Sequence, residues 1–537
     1  MHSIWIILFA LLAFTAAYFI YGKKAARWIG VDPKRETPAH KLKDGIDFVP
    51  TKKTILLGHH FSSIAGAAPI IGPIVAISYG WVPVILWIII GGIFIGAIHD
   101  FTSLMASVRN NGGSIGEVIY AEIGKRGKIL FLLFSWSTIT LIVAVFTNIV
   151  ADTFTSVPSA GTASIVFMLS AIVLGLLTYK FGFPHWALTL TGIMLIPLSL
   201  YIGTLFPLVL SFDTWTLFLF IYIFAASVLP VWLLLQPRDY LNSFMLYALI
   251  FFAFIGLVWV NPKINLPAFT SFEVNELGFL FPMLFVTVAC GAISGFHSLI
   301  SSGTSSKQLK NENDALFVSY GSMMIESFLA VIALVIVASV AVAIGKLGAS
   351  NPVDIFADGF ATLLDRLKID FELAKTFASL TISAFALTSL DTATRLGRYA
   401  FQEFFSSNKS NDKNGKKESF LANRYVATIA TITASGILIF SGQGLKIWPV
   451  FGVANQLLAV LALLAVTVWL TRTKRKSAFT RIPMYFMFVT TMTALVMMIK
   501  ANFIKENYLL MIVSCILMIL TLCLCFEAFM KTRKSLK

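Results

Sequence analysis

The 537-residue sequence predicts an all-α polytopic membrane protein of about fifteen transmembrane helices, two of them broken near their middles. Three observations carry that expectation. Hydrophobic residues make up 58% of the chain and charged residues 12%, where a soluble domain has roughly 45–50% and 25%. The apolar residues are gathered into runs of the roughly 20 residues that a helix needs to cross a bilayer. Two of those runs, GHHFSSIAGAAPIIGP over Gly58–Pro73 and CGAISGFHSLISSG over Cys290–Gly303, hold glycine, serine and histidine where a continuous helix is hard to maintain.

The first run, 4–21, carries no basic side chain in Met1 to Ser3 and is followed by Lys23, Lys24 and Arg27, the flank of a retained anchor rather than of a cleaved leader. The second, 55–78, is the first interrupted one, with Pro69, Gly72 and Pro73 beside Gly58 and Gly66. The third, 81–107, carries His99 and Asp100 and ends near Arg109. Runs 129–154, 162–179, 186–203, 215–235 and 242–260 follow, divided by polar or charged breaks. The ninth, 278–303, is the second interrupted run, and 317–345 carries Glu326. Between 351 and 368, Ile355, Phe356, Phe360, Leu363, Leu364 and Leu367 alternate with acids as in an amphipathic helix lying on the outer surface, a candidate lid. Run 376–400 ends in SLDTATRLGRYAFQE, and Ser406–Ser419 reads as a flexible cytoplasmic linker. Runs 423–441, 445–470, 483–499 and 507–530 complete the set. The expected division is 1–345, an extracytoplasmic loop over 346–375, and a five-helix region over 376–537.

The net charge of +15 raises the question of nucleic acid. Assigning the runs alternately to the two faces puts most of the 41 Lys and Arg on one of them, which the positive-inside rule makes cytoplasmic, with the N-terminus outside and the C-terminus inside. No basic soluble domain is left over for nucleic acid. Cys515, Cys523 and Cys525 lie in the last run without a CxxC pair or a disulfide framework, and Cys290 reads as a small packing residue at a break. No Walker motif, metal-ligand cluster or nucleophile elbow appears, so neither an ATP-driven pump nor a hydrolase has its chemistry here.

Alternation makes the two interrupted runs antiparallel. An odd number of runs, seven, separates the start of one unit from the start of the next, so the chain reads as a leading helix followed by two inverted repeats. A pair of breaks in corresponding positions of inverted halves is the sequence mark of a secondary transporter's binding site. Unwound backbone at that depth is tolerated only inside protein or along a cavity, and the half-helix N-termini suit a carboxylate. The candidate substrate-binding residues are Ser62, Ser63, Gly66, Ala67 and Ala68 in the first break, and Gly291, Ser294, Gly295 and Ser298 in the second. The competing reading of such small residues is close helix packing.

Ionisable residues inside membrane runs are costly and functional by default. Asp100 precedes Arg109 by nine residues, about 13 Å along a helix, too deep to snorkel easily. With His99 it is the candidate proton acceptor or cation ligand. His60 and His297 join it as groups that titrate near physiological pH, the alternative being that each caps free carbonyls at a break. Thr388, Ser389 and Asp391 form an oxygen-rich turn that would bind a cation or relay a proton; the alternative for Asp391 is a local ion pair with Arg395, four residues on. No metal or organic cofactor is expected, only a coupling proton or sodium ion.

GHHFSSIAGAAPIIGP, followed by IHDFTSLMASVRNNGGSIGEV over Ile98–Val118, strongly resembles the CstA carbon starvation family, as do CGAISGFHSLISSGTSSKQL over Cys290–Leu309 and LDTATRLGRYAFQE over Leu390–Glu403. The resemblance implies a cytoplasmic-membrane transporter of inverted-repeat build, taking up peptides or, in some members, pyruvate by proton symport when nutrients are scarce. A membrane-embedded nutrient sensor would need a signalling extension, and a passive channel would need a pore lined by rings of like residues.

Overall fold

The computed structural model describes residues 1–45, 47–181, 184–230, 234–275, 277–340, 351–406 and 420–536. Nearly all regular structure is helical. In order these are α1 (Ser3–Ile29), α2 (Lys53–Ile64), α3 (Ala68–Tyr79), α4 (Trp81–Arg109), α5 (Ile115–Glu122), α6 (Lys125–Ser156), α7 (Pro158–Phe181), α8 (His185–Leu205), α9 (Phe212–Val228) and α10 (Leu235–Val260). A two-stranded hairpin, Glu273–Val274 with Gly278–Phe279, leads into α11 (Leu280–Thr287), α12 (296–308, through a π-helical turn at Ser301–Ser305), α13 (Leu316–Val340), α14 (Pro352–Asp365), α15 (Phe371–Ser406), α16 (Arg424–Ser441), α17 (Trp448–Arg472), α18 (Ala478–Ile504) and α19 (Tyr508–Lys531).

Among the described residues eleven helices are long and apolar enough to cross a membrane, and the bent pair α2–α3 makes a twelfth. The expected runs 186–203 and 215–235 hold shorter apolar helices, and 278–303 holds two half-helices. Helix α9 stops at Val228, short of the expected 235, because Pro230 pushes Leu229 into an extended conformation (φ −69°, ψ 155°). Large apolar side chains such as Leu12, Ile20, Met194, Ile482 and Phe526 face outward, a surface that lipid and not water must cover.

One element departs from expectation in its placement. Helix α14, capped by the Asn351 side chain accepting from the Val353 N–H, does not lie on the surface. It sinks between α3, α10, α13 and α15, burying Val353, Phe356, Phe360, Leu363 and Leu364. Small residues allow this close approach: a Cβ on Gly359 would come within 2.8 Å of Ile336. The linker 407–419 and the expected boundary at 345/346 lie outside the described residues.

The two broken helices run antiparallel. At one end the Thr51 N–H donates to the Gln308 carbonyl at 3.0 Å, tying the entry of α2 to the exit of α12. At the other the Tyr79 hydroxyl donates to the Gly278 carbonyl at 3.0 Å, tying the end of α3 to the start of α11. Between these ties α2 packs against α12 and α3 against α11, so the breaks meet halfway. Helices α6 and α15, the longest, flank the meeting point.

Candidate functional site at the paired helix breaks

Helix α2 ends at Ile64, and the chain turns through Ala65–Ala67 before α3 departs at 46°. Helix α11 ends at Thr287, and 288–295 is non-helical before α12 begins. A closed cavity of about 10 Å³ lies between the breaks, lined by Gly66, Ala68, Cys290, Ser294, Ser389 and Asn455 together with apolar side chains from α6, α12 and α17. That is the room one water molecule needs. The carrier is therefore shut around the site, and an organic substrate requires the walls to part.

The two breaks differ in how their backbone is satisfied. In the first, the N–H groups of Ala67 and Ala68 find no acceptor among the described residues, while the Ala67 carbonyl accepts from the Ile70 and Ile71 N–H groups and starts α3. Two free donors and the positive end of α3 thus flank the cavity. In the second, the donors at the start of α12 are already taken. The Asn455 Oδ1 on α17 accepts from the Phe296 N–H at 2.9 Å, and the Asn455 carbonyl accepts from the Gly295 N–H at 3.0 Å.

Of the candidate substrate-binding residues, Gly66, Ala68 and Ser294 line the cavity and Ala67 supplies a donor beside it. Ser62 and Ser63 do not line it: their hydroxyls donate back to the His59 carbonyl at 3.1 and 2.8 Å. Ser298 likewise donates to the Gly295 carbonyl at 2.7 Å. This back-bonding satisfies a hydroxyl locally once it is buried on a helix. Gly291 and Gly295 serve packing, since a Cβ on Gly291 would meet Ala330 at 2.8 Å and one on Gly295 would collide with the α17 backbone at Asn455 and Ala459.

The candidate coupling residues divide into two clusters. In the first, Asp100 receives a hydrogen bond on each oxygen, from His99 Nδ1 and from His297 Nδ1, both at 2.8 Å. The far nitrogen of His297 stands 3.4 Å from Glu326, whose two oxygens have no hydrogen-bond partner. His60 Nδ1 meets the Ser305 hydroxyl at 2.7 Å, so it caps no carbonyl. All five titratable side chains are fully buried. Four of them, all but His60 on α2, form a string from α4 through α12 to α13, with one member, His297, in the first turn of the half-helix that leaves the second break.

In the second cluster Asp391 does not pair with Arg395. It bonds the buried Arg238 guanidinium and the Tyr222 hydroxyl. Arg238 also holds Asp239 at 2.8 Å, and Thr388 Oγ1 accepts from Asn242 at 2.8 Å. Arg395 instead donates to the Leu229 carbonyl at 2.8 Å, and Arg398 to that of Ser227, capping the free end of α9. The oxygen-rich turn expected to receive a coupling cation already holds a guanidinium. Ser389, one residue from Thr388, faces the other way, lines the cavity and makes no hydrogen bond among the described residues.

Arg238 and Asn455 were not among the sequence candidates. Arg238 lies in QPRDY, between two expected runs, where a basic residue satisfies the positive-inside rule; it falls inside α10 because that helix starts at Leu235. Asn455 and Gln456 are adjacent amides in an otherwise apolar run, and polar groups at that depth carry the same signal as Asp100.

Comparison with known proteins agrees with this architecture. The profile of the carbon starvation protein CstA family matches residues 2–346 and 340–494. The peptide transporter CstA of Escherichia coli is 32% identical, over 92% of this chain and 80% of its own length. The peptide transporter CstA of Helicobacter pylori is 34% identical, over 88% and 78%. The pyruvate/proton symporter BtsT of Escherichia coli is 32% identical, over the same shares. A crystal structure of a manganese transporter from Eremococcus coleocola shares the fold, with a TM-score of 0.52 at 12% identity over 92% of this chain and 99% of that one. With broken helices, buried titratable groups and relatives of this kind, the protein is a multi-pass membrane transporter and not an enzyme, and it belongs to the CstA carbon starvation family.

Proposed function

We propose that this transporter imports a small carboxylate-bearing nutrient, a peptide or pyruvate, by proton symport through alternating access of its two inverted halves. The observation that carries the reading is the closed cavity where the two breaks meet, with the free Ala67 and Ala68 donors and the Ser389 hydroxyl beside it. A carboxylate placed there receives backbone hydrogen bonds and the favourable end of a helix dipole. The related peptide and pyruvate/proton transporters both move molecules that carry such a group.

The His99–Asp100–His297–Glu326 string supports a proton over sodium as the coupled ion. It is built of imidazoles and carboxylates, the groups of which intramembrane proton relays are made, whereas the other buried acid cluster is neutralised by Arg238. Helix α12 carries both His297 and the cavity wall at Phe296, so a change of charge in the string and a change of occupancy in the cavity act on one short rigid element. Sharing an element in this way gives two sites a coupling free energy, reciprocal by linkage. Lys52, Lys53, Arg109, Lys307 and Lys310 gather at the end where α2 begins and α12 finishes, which supports a cytoplasmic position for that end in the plasma membrane and an N-terminus outside.

Reconstitution into proteoliposomes tests the reading. Labelled pyruvate and a labelled dipeptide are offered separately under an imposed pH gradient, an imposed sodium gradient, or neither. Accumulation of at least one substrate above equilibrium under the pH gradient alone is expected. Flux that ignores both gradients overturns symport, and absence of flux for both substrates overturns the substrate class.

A further inference from the structure

The cavity has walls of two kinds. Ile64, Ile142, Phe146 and Phe451 close it by apolar contact, and one residue closes it by hydrogen bonds. Asn455 is fully buried, lines the cavity, and spends both ends of its side-chain amide on the unwound segment of the second broken helix. Its Oδ1 accepts from the Phe296 N–H at 2.9 Å. Its Nδ2 donates to the Ser294 hydroxyl at 3.0 Å and lies 3.5 Å from Cys290 Sγ. Its main-chain carbonyl takes the Gly295 N–H, and Gly295 is the residue whose missing Cβ lets the segment rest on α17.

Neighbouring residues on α17 grip the first half of the same broken helix. Gln456 Nε2 donates to the Phe285 carbonyl at 2.6 Å, and Gly452 packs on the Val286 carbonyl. Helix α17 thus grips both halves of the broken helix, and Asn455 is its hydrogen-bonded grip on the part that faces the cavity. The amide oxygen occupies the Phe296 N–H and the Asn455 main-chain carbonyl the Gly295 N–H, the donors that correspond to those left free at Ala68 and Ala67 in the first break.

We infer that Asn455 is a latch: its side-chain amide holds the Phe296 N–H and the Ser294 hydroxyl in the closed empty carrier and is exchanged for the substrate's carboxylate when the cavity widens. The inference rests on the proposed carboxylate substrate and adds a positioning residue to that site. Opening costs little in this scheme, because each hydrogen bond given up by the amide oxygen is replaced by one to an ionised oxygen, which is the stronger acceptor. It also confines the opening to the second break, since no side chain among the described residues accepts from the Ala67 and Ala68 donors of the first.

Two measurements on the full-length carrier separate the latch from its alternatives. One is the rate at which N-ethylmaleimide alkylates Cys290, read by mass spectrometry of the Cys290 peptide; it needs no transported substrate. Asn455→Ala is expected to raise that rate about tenfold over wild type, the weight of roughly one to two net hydrogen bonds. An unchanged rate overturns the latch whatever the substrate is. The other is uptake of labelled pyruvate and of a labelled dipeptide. Competition between amide and substrate predicts that Asn455→Ala lowers KM about fivefold for the transported substrate. Asn455→Asp, which leaves an anion on the same donors, is expected to raise KM at least tenfold with an unchanged melting temperature. A raised KM in Asn455→Ala makes Asn455 a substrate ligand and overturns the exchange. An unchanged KM with reduced maximal rate and lower melting temperature reduces it to a structural residue. Faster Cys290 alkylation without transport of either compound upholds the latch and refutes the proposed substrate class instead.

Discussion

Replacing Arg238 tests whether the Asp391 cluster is structural. The guanidinium is 1% exposed and Asp391 is fully buried, with Asp239 on the other side of the same group and the Tyr222 hydroxyl donating to Asp391 at 2.8 Å. Arg238→Met removes the cation that bridges two carboxylates. Breaking a buried pair from one side costs about 3–5 kcal/mol, because the remaining charge is left uncompensated. Asp391→Asn is milder: the amide oxygen still accepts from Arg238 and Tyr222, and Arg238 keeps Asp239. A loss of about 1–3 kcal/mol is expected, the scale of one weakened charged hydrogen bond. The double variant Arg238→Met with Asp391→Leu should recover only part of the loss, since an apolar pair replaces the Arg238–Asp391 charges while Asp239 still lacks its cation. Thermal and chemical unfolding in detergent micelles, arranged as a double-mutant cycle, measures all three. The structural reasoning fails if Asp391→Asn destabilises as much as Arg238→Met, or if Asp391→Asn folds like wild type yet loses proton-driven accumulation while retaining exchange. In the second case Asp391 belongs to transport after all.

Three further outcomes are expected. Asp100→Asn and Glu326→Gln should each abolish accumulation driven by a pH gradient while leaving counterflow exchange of the same substrate intact; loss of exchange as well would remove them from coupling. Gly295→Ala should destabilise by about 1–3 kcal/mol, because the new Cβ meets main chain that cannot move aside, whereas Gly58→Ala, where only the Tyr247 hydroxyl stands at 3.8 Å, should be neutral or slightly stabilising; equal melting temperatures would refute the packing role. Asp354 on α14, outside the membrane-crossing helices, is pushed up to about 6 by burial, with the Ser156 hydroxyl and Lys375 opposing the shift and Asp152 and Asp358 adding to it. A folded-state pKa above the unfolded value of about 3.9 means that the native protein binds the proton more tightly, so its stability should rise as pH falls from about 6 towards 4 and be lost as pH rises through 6. Melting temperature against pH should show that slope in wild type and a flatter one in Asp354→Asn.

Much of the fold was legible because the bilayer imposes a simple rule on sequence. Runs of apolar residues must be helices, so every described run was found near its expected place, and deviations such as the early stop of α9 trace to a single proline. The breaks were legible from their glycines, Gly66 in the first and Gly291 and Gly295 in the second, although helix resumes through Pro69, Gly72 and Pro73 and through Ser298 to Gly303. Partner choice was not legible. Asp391 and Arg395 share a helical face, yet Asp391 pairs with Arg238, 153 positions away in the chain, and Arg395 turns to the end of α9. The small residues of the second break carried two meanings that spacing could not separate; Ser294 faces the cavity while Gly291 and Gly295 press on neighbouring helices.

By itself, then, the sequence determined a helical membrane transporter of the carbon starvation family, the positions of its two unwound segments and the presence of titratable groups near them. These are local properties, set by hydrophobicity, backbone propensity and motif. Only the tertiary structure decided which donors at those segments stay free. Ala67 and Ala68 keep theirs because no acceptor among the described residues reaches them, while Phe296 and Gly295 lose theirs to Asn455, brought there by the packing of α17 against a glycine.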